Sequence, residues 1–108
     1  MKTLQFALLA SLSFAGAAGA ADWPAEDLWY KCKGCHGMDG KANTKVGVNE
    51  KIPDLSSVKW QTETTDEVIL KVITHGSEKN QKMKGYKEIF TATEIASLIP
   101  YIRNLREK

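Results

Sequence analysis

Cys32, Cys35 and His36 are the residues of this chain whose types and spacing can do chemistry together. In Cys32-Lys33-Gly34-Cys35-His36, two thiols three residues apart fall on one side of a helical turn, and an imidazole follows directly. A Cys-x-x-Cys-His run is an attachment pattern for haem. Each thiol adds across a porphyrin vinyl group, and the neighbouring imidazole is held against the iron. Other readings of the same residues are weaker. A closed zinc site needs two further ligands, and the only other Cys or His is His75, at a spacing unlike the short His pairs of zinc fingers. A thioredoxin-like pair needs a strand-to-helix turn inside a βαβ unit, and no strand pattern precedes Cys32. A disulfide closing so short a loop would stabilise little. The expected cofactor is one haem c, bound covalently through Cys32 and Cys35, with His36 as an axial ligand.

The other axial position separates an electron carrier from a haem that binds gases or substrates. Met83 is the leading candidate. It stands in the polar run Gln81-Lys82-Met83-Lys84-Gly85-Tyr86, with no aliphatic partner at helical spacing to make it ordinary core. A thioether is a soft, neutral ligand that favours ferrous iron and raises the potential. His75 is the rival, although its place at a helix C-terminus beside Gly76 has an ordinary electrostatic explanation. An iron-bound histidine usually gives its second ring N–H to a carbonyl or carboxylate, and the carbonyl of Pro53 is a candidate acceptor for His36. Trp60 is either a half-buried hydrophobe or an indole donor to a haem propionate.

These residues must be positioned by helices. Pro24 suits a first helical position, followed by Glu26 and Asp27 at the positive end of the dipole, so a first helix is expected to run into the haem motif and end near Gly34. Leu28, Trp29 and Cys32 share its inner face. From Gly37 to Ser57 no sustained period appears, and this stretch, with its Ile52-Pro53-Asp54-Leu55 island, reads as a loop wrapped around a haem edge. Thr64-Thr65-Asp66-Glu67 reads as a capping box opening a second helix that carries Val68, Ile69, Val72 and Ile73 and stops at Gly76. Thr91-Ala92-Thr93-Glu94 opens the last helix, with Ile95, Leu98, Ile99, Ile102 and Leu105 on one stripe. Pro100 interrupts it, and a kink is expected there.

Residues 1–20 read as a secretory signal: a basic start at Lys2, an apolar run from Leu4 to Phe14, and the small-x-small site Ala18-Gly19-Ala20, with cleavage after Ala20. Nothing after it is long and apolar enough to span a bilayer. The domain at 21–108 keeps 14 basic residues against 13 acidic ones, a balance that offers nothing to nucleic acid. It does hide a cluster: Lys79, Lys82, Lys84 and Lys87 surround Met83 with no acid between them, either as a solvated loop or as a docking face for an acidic partner.

The order of Cys32-x-x-Cys35-His36, Ile52-Pro53-Asp54-Leu55, Met83-Lys84-Gly85-Tyr86 and a closing amphipathic helix with Tyr101 resembles the small bacterial class I cytochromes c over the whole of 21–108. The resemblance implies an all-α cytochrome c fold, three to four short helices around one covalent haem with the first and last helices crossed. It also implies His36 and Met83 as axial ligands, Pro53 as the carbonyl that orients His36, and Trp60 as the propionate donor. The sequence departs from the family pattern at Leu28, where an aromatic is often found four residues before the first haem cysteine, and at Pro100. The function so implied is that of a periplasmic one-electron carrier, a monomer working between redox proteins without bound substrate. It is not an enzyme on this reading: a peroxidase would need an open iron site and a distal acid–base group, for which only His75 is available. A four-helix gas-binding cytochrome would carry its haem motif near the C-terminus. A haem subunit of a larger respiratory enzyme is the remaining alternative.

Overall fold

The computed structural model describes residues 21–107. The expected export signal and its cleavage site lie outside the described residues. The N-terminal segment is helical in three pieces: α1 (Ala25–Leu28), a 3-10 turn (Trp29–Lys31) and α2 (Lys33–His36). Pro24 is the N-cap rather than the first helical residue, and its carbonyl accepts from the N–H groups of Asp27 and Leu28 at 3.0 and 3.1 Å. The helical run passes Gly34 and stops at Gly37, where φ is +82°. That conformation is one a Cβ would disfavour.

Two short helices stand where none is expected, one inside the 37–57 stretch read as a loop and one directly after it. α3 (Lys45–Asn49) is capped by Thr44, whose hydroxyl accepts from Gly47 N–H, and α4 (Val58–Glu63) by Ser57, whose hydroxyl accepts from Trp60 N–H. Both are too short to show a hydrophobic period, so their caps are the only sequence signal. α5 (Asp66–His75) and α6 (Ala92–Arg103) are the two longer helices. The N-cap of α5 is Thr65 rather than Thr64. Thr64 is held otherwise, its N–H on the Trp60 carbonyl at 3.0 Å and its own carbonyl taken by Arg103 Nη2 at 2.6 Å. α5 ends at Gly76 as expected, with φ +94°. The box on α6 is complete. Glu94 N–H donates to Thr91 Oγ1 at 3.0 Å, and Thr91 N–H donates back to Glu94 Oε1 at 2.8 Å. The backbone N–H groups of Trp23 and Thr91, both aimed at the Glu94 carboxylate, hold its pKa below the usual range. α6 continues through Pro100; Pro100 and Ala96 are both exposed, so water can reach the carbonyl that the missing N–H leaves free.

Leu28, Trp29, Leu55, Ile69, Ile73, Phe90, Ile95, Leu98 and Ile102 form the core, and α6 packs against both α1 and α5. Of the expected α5 stripe only Ile69 and Ile73 are buried; Val68 stays exposed. Arg103 binds α4 and α5 to α6: its Nε donates to Asp66 Oδ1, Nη1 to the carbonyl and side-chain oxygen of Gln61, and Nη2 to the Thr64 carbonyl, at 2.6–3.1 Å. Buried Gln61 in turn donates to the carbonyls of Leu55 and Ile102 at 2.8 and 2.9 Å. The fold is all-α, with no strand among the described residues beyond one isolated bridge between Gly76 and Lys84.

Candidate haem-binding site

Helix formation alone brings Cys32, Cys35 and His36 together. The Cys32 carbonyl accepts from Cys35 N–H at 3.2 Å and from His36 N–H at 2.9 Å, which winds the motif into one turn. Both thiols are free and half-buried. Burial, and then the neighbouring Cys35, pushes the Cys32 thiol up to about 11, so it is protonated at neutral pH. Burial also lowers the pKa of His36, which favours the neutral imidazole that can ligate a metal. His36 Nδ1 is the one buried side-chain nitrogen or oxygen without a hydrogen-bond partner among the described residues. No three-residue cluster of His, Cys, Asp or Glu able to hold a bare metal ion occurs among them either. Two free thiols on one turn, a neutral imidazole and an unsatisfied ring nitrogen suit covalent haem, and the zinc reading lacks its further ligands among the described residues.

The carbonyls at the end of this turn are all occupied. Thr44 Oγ1 donates to the Cys35 carbonyl at 2.7 Å, Ala42 N–H to the His36 carbonyl at 2.8 Å, and the Trp29 indole N–H to the Gly37 carbonyl at 3.0 Å. Trp29 is 1% exposed, its ring centroid 6.0 Å from that of His36 and 5.3 Å from that of Tyr101. Gly47 lets α3 come this close: a Cβ there would run into the Ala42 carbonyl oxygen and lie 2.9 Å from that of Cys35. The core position of Trp29 follows from its place on the inner helix face. Its indole bond, and the parts played by Thr44 and Gly47, have no signal in a single sequence, because each partner is a backbone carbonyl.

The remaining site residues are placed unequally. Pro53 is exposed and its carbonyl does not accept from His36 Nδ1 here; its loop is pinned on either side by Ile52 N–H on the Gly47 carbonyl and Leu55 N–H on the Gly40 carbonyl, both 2.9 Å. Trp60 is half-buried against the core. Met83 is half-buried, whereas His75 is exposed at the end of α5. The Met83 segment folds back on itself: Ser77 N–H reaches the Met83 carbonyl and Met83 N–H the Asn80 carbonyl, each at 3.0 Å. It leans on the end of α5, where Tyr86 N–H donates to the Ile73 carbonyl at 2.8 Å. A Cβ on Gly85 would meet the Thr74 carbonyl oxygen at 2.5 Å.

No helix of the described residues is long and apolar enough to cross a membrane. The family model described as cytochrome c oxidase, cbb3-type, subunit III matches residues 15–102. Among solved structures, the KustC0563 c-type cytochrome is similar at 30% identity with a TM-score of 0.71, covering 79% of this chain and all of that one. A tyrosine-to-phenylalanine mutant of Kustc0563 is similar at 30% identity and a TM-score of 0.68, covering 78% of this chain and all of its own. No curated protein matches.

Proposed function

Because this chain belongs to the c-type cytochrome family described by the cbb3-type oxidase subunit III model, and so carries haem c on Cys32 and Cys35, we propose that it is a periplasmic one-electron carrier with His36 and Met83 as the axial ligands. Bound haem supplies one-electron chemistry, its iron passing between the ferric and ferrous states. The protein's part is to hold two ligands still. The observation that carries this reading is the contrast between a pinned, neutral His36 and a half-buried Met83 in a folded loop, with His75 out in solvent. Two ligands that stay in place through the cycle leave little reorganisation to oppose transfer.

The Nδ1 of a bound His36 needs an acceptor, and we assign that part to the Pro53 carbonyl. Trp60 is assigned to a propionate through its indole N–H. Lys79, Lys82, Lys84 and Lys87 are all exposed, which supports a face for an acidic redox partner near Met83. The family description favours a second reading, in which the same domain delivers electrons as part of a larger respiratory assembly.

Optical spectra of the haem-loaded protein in both oxidation states, beside those of Met83→Ala, test the ligation. The expected result is the weak red absorption band of thioether-ligated ferric haem in the wild type and its loss in the variant. If the wild type lacks that band and its ferrous form takes up carbon monoxide readily, the iron site is open and the carrier reading falls.

A further inference from the structure

Glu50 ends α3 on the side of the molecule that carries the haem motif, yet its carboxylate reaches the Met83 loop. Oε1 lies 3.4 Å from Asn80 Nδ2 and Oε2 lies 3.6 Å from Lys82 Nζ, thirty residues away in sequence for the first pair. The Glu50 side chain is 30% exposed and that of Lys82 66%. The base of this contact is firm. Glu50 N–H donates to the Val46 carbonyl at 2.8 Å, and α3 is itself locked to Cys35 by Thr44 and by the close approach at Gly47. The far end sits beside the ligand candidate. Asn80 accepts Met83 N–H on its backbone carbonyl and Lys82 N–H on Oδ1, at 3.0 and 2.9 Å, so Asn80 connects Glu50 to the chain entering Met83.

We propose that Glu50 is a positioning residue that latches the Met83 loop to the haem-motif side of the molecule and limits how often the methionine leaves the iron. The inference rests on the reading of Met83 as the sixth ligand. Within the loop the hydrogen bonds fix its shape, and the contacts with α5 fix its root. The bonds that tie it to the opposite side are those to Glu50 and a long one from Tyr86 Oη to the Lys31 carbonyl, at 3.5 Å. An exposed ion pair contributes modestly and is screened by salt. The latch therefore changes the rate of loop opening and leaves the fold alone.

The test is the rate at which imidazole binds the ferric holoprotein, since imidazole can reach the iron only while Met83 is off. Glu50→Gln keeps the shape of the side chain and removes its charge; it is expected to raise the rate about two- to fivefold. Lys82→Gln should do the same, and the double variant should be no faster than either single one. Raising the salt concentration should accelerate the wild type and leave Glu50→Gln nearly unchanged. Met83→Ala should bind imidazole far faster than all of these, with no further gain on adding Glu50→Gln. A rate unchanged by Glu50→Gln and Lys82→Gln, with Met83→Ala fast, overturns the latch and leaves the ligand reading standing. A Met83→Ala rate equal to that of the wild type overturns the ligand reading and the latch with it.

Discussion

The haem motif and the loop of the proposed ligand Met83 are built by different means. On the side of His36, consecutive carbonyls of Cys35, His36 and Gly37 receive donors from three separate places, Thr44, Ala42 and Trp29, and a fully buried indole lies against the imidazole. On the side of Met83, the donors come from within: Ser77 Oγ accepts from the N–H groups of Lys79 and Asn80 at 3.1 and 3.2 Å, and Asn80 Oδ1 from Lys82. The first side is tied into the core by Trp29, 1% exposed and packed beside Tyr101; the second rests on bonds spanning two or three residues, with Glu50 and Lys31 as its contacts across the fold. Local openings follow the density of buried, long-range contacts. The haem-motif side should therefore open with the whole domain, and the Met83 side by itself.

The largest expected effect lies at Gly47. Gly47→Ala places a Cβ against two backbone carbonyls that cannot move aside, and should cost about 1–3 kcal/mol, the range of overpacked cores. Gly34→Ala, within the motif itself, meets nothing within 4 Å and should leave the stability little changed. Thermal unfolding of the two holoproteins checks the pair, and equal losses would mean that α3 does not clamp the motif. Next comes Trp29→Phe, which keeps an aromatic ring and strips the Gly37 carbonyl of its indole donor. A loss of about 1–2 kcal/mol is expected, together with a shift in potential, because the residue after His36 loses an anchor. A potential identical to that of the wild type would reduce Trp29 to packing. The smallest effect is at Ser77. Ser77→Ala should cost about 0.5–1 kcal/mol and accelerate amide exchange at Lys79, Asn80 and Met83 while that of Ala42 and Leu55 stays slow. Acceleration on both sides at once would abolish the distinction between them.

What can be read in the sequence depends on how far apart the interacting groups lie. Cys32-x-x-Cys35-His36 and the Thr91–Glu94 box are complete within five residues, and both form as written. The stripe of α6 is legible because twelve residues are enough to show a helical period. Thr44 and Ser57 open helices of five and six residues, too short for any period to separate α3 and α4 from loop. Thr64 begins a capping-box pattern, yet Thr65 provides the cap. The deciding group is the Arg103 guanidinium, thirty-nine residues away, which claims the Thr64 carbonyl.

The sequence by itself determined the groups of the candidate site: two thiols and an imidazole on one turn, a methionine proposed as ligand in a polar loop, and helices with an apolar stripe to bury. Each of these depends on bonds or periods no longer than a turn or a single helix. Tertiary structure decided what those groups face. The indole of Trp29 against His36, the absent Cβ of Gly47 under Cys35 and the reach of Glu50 to Lys82 all bring residues together through backbone atoms or across loops. Every residue here but proline presents the same carbonyl and N–H, so side-chain identity cannot say which of them will meet.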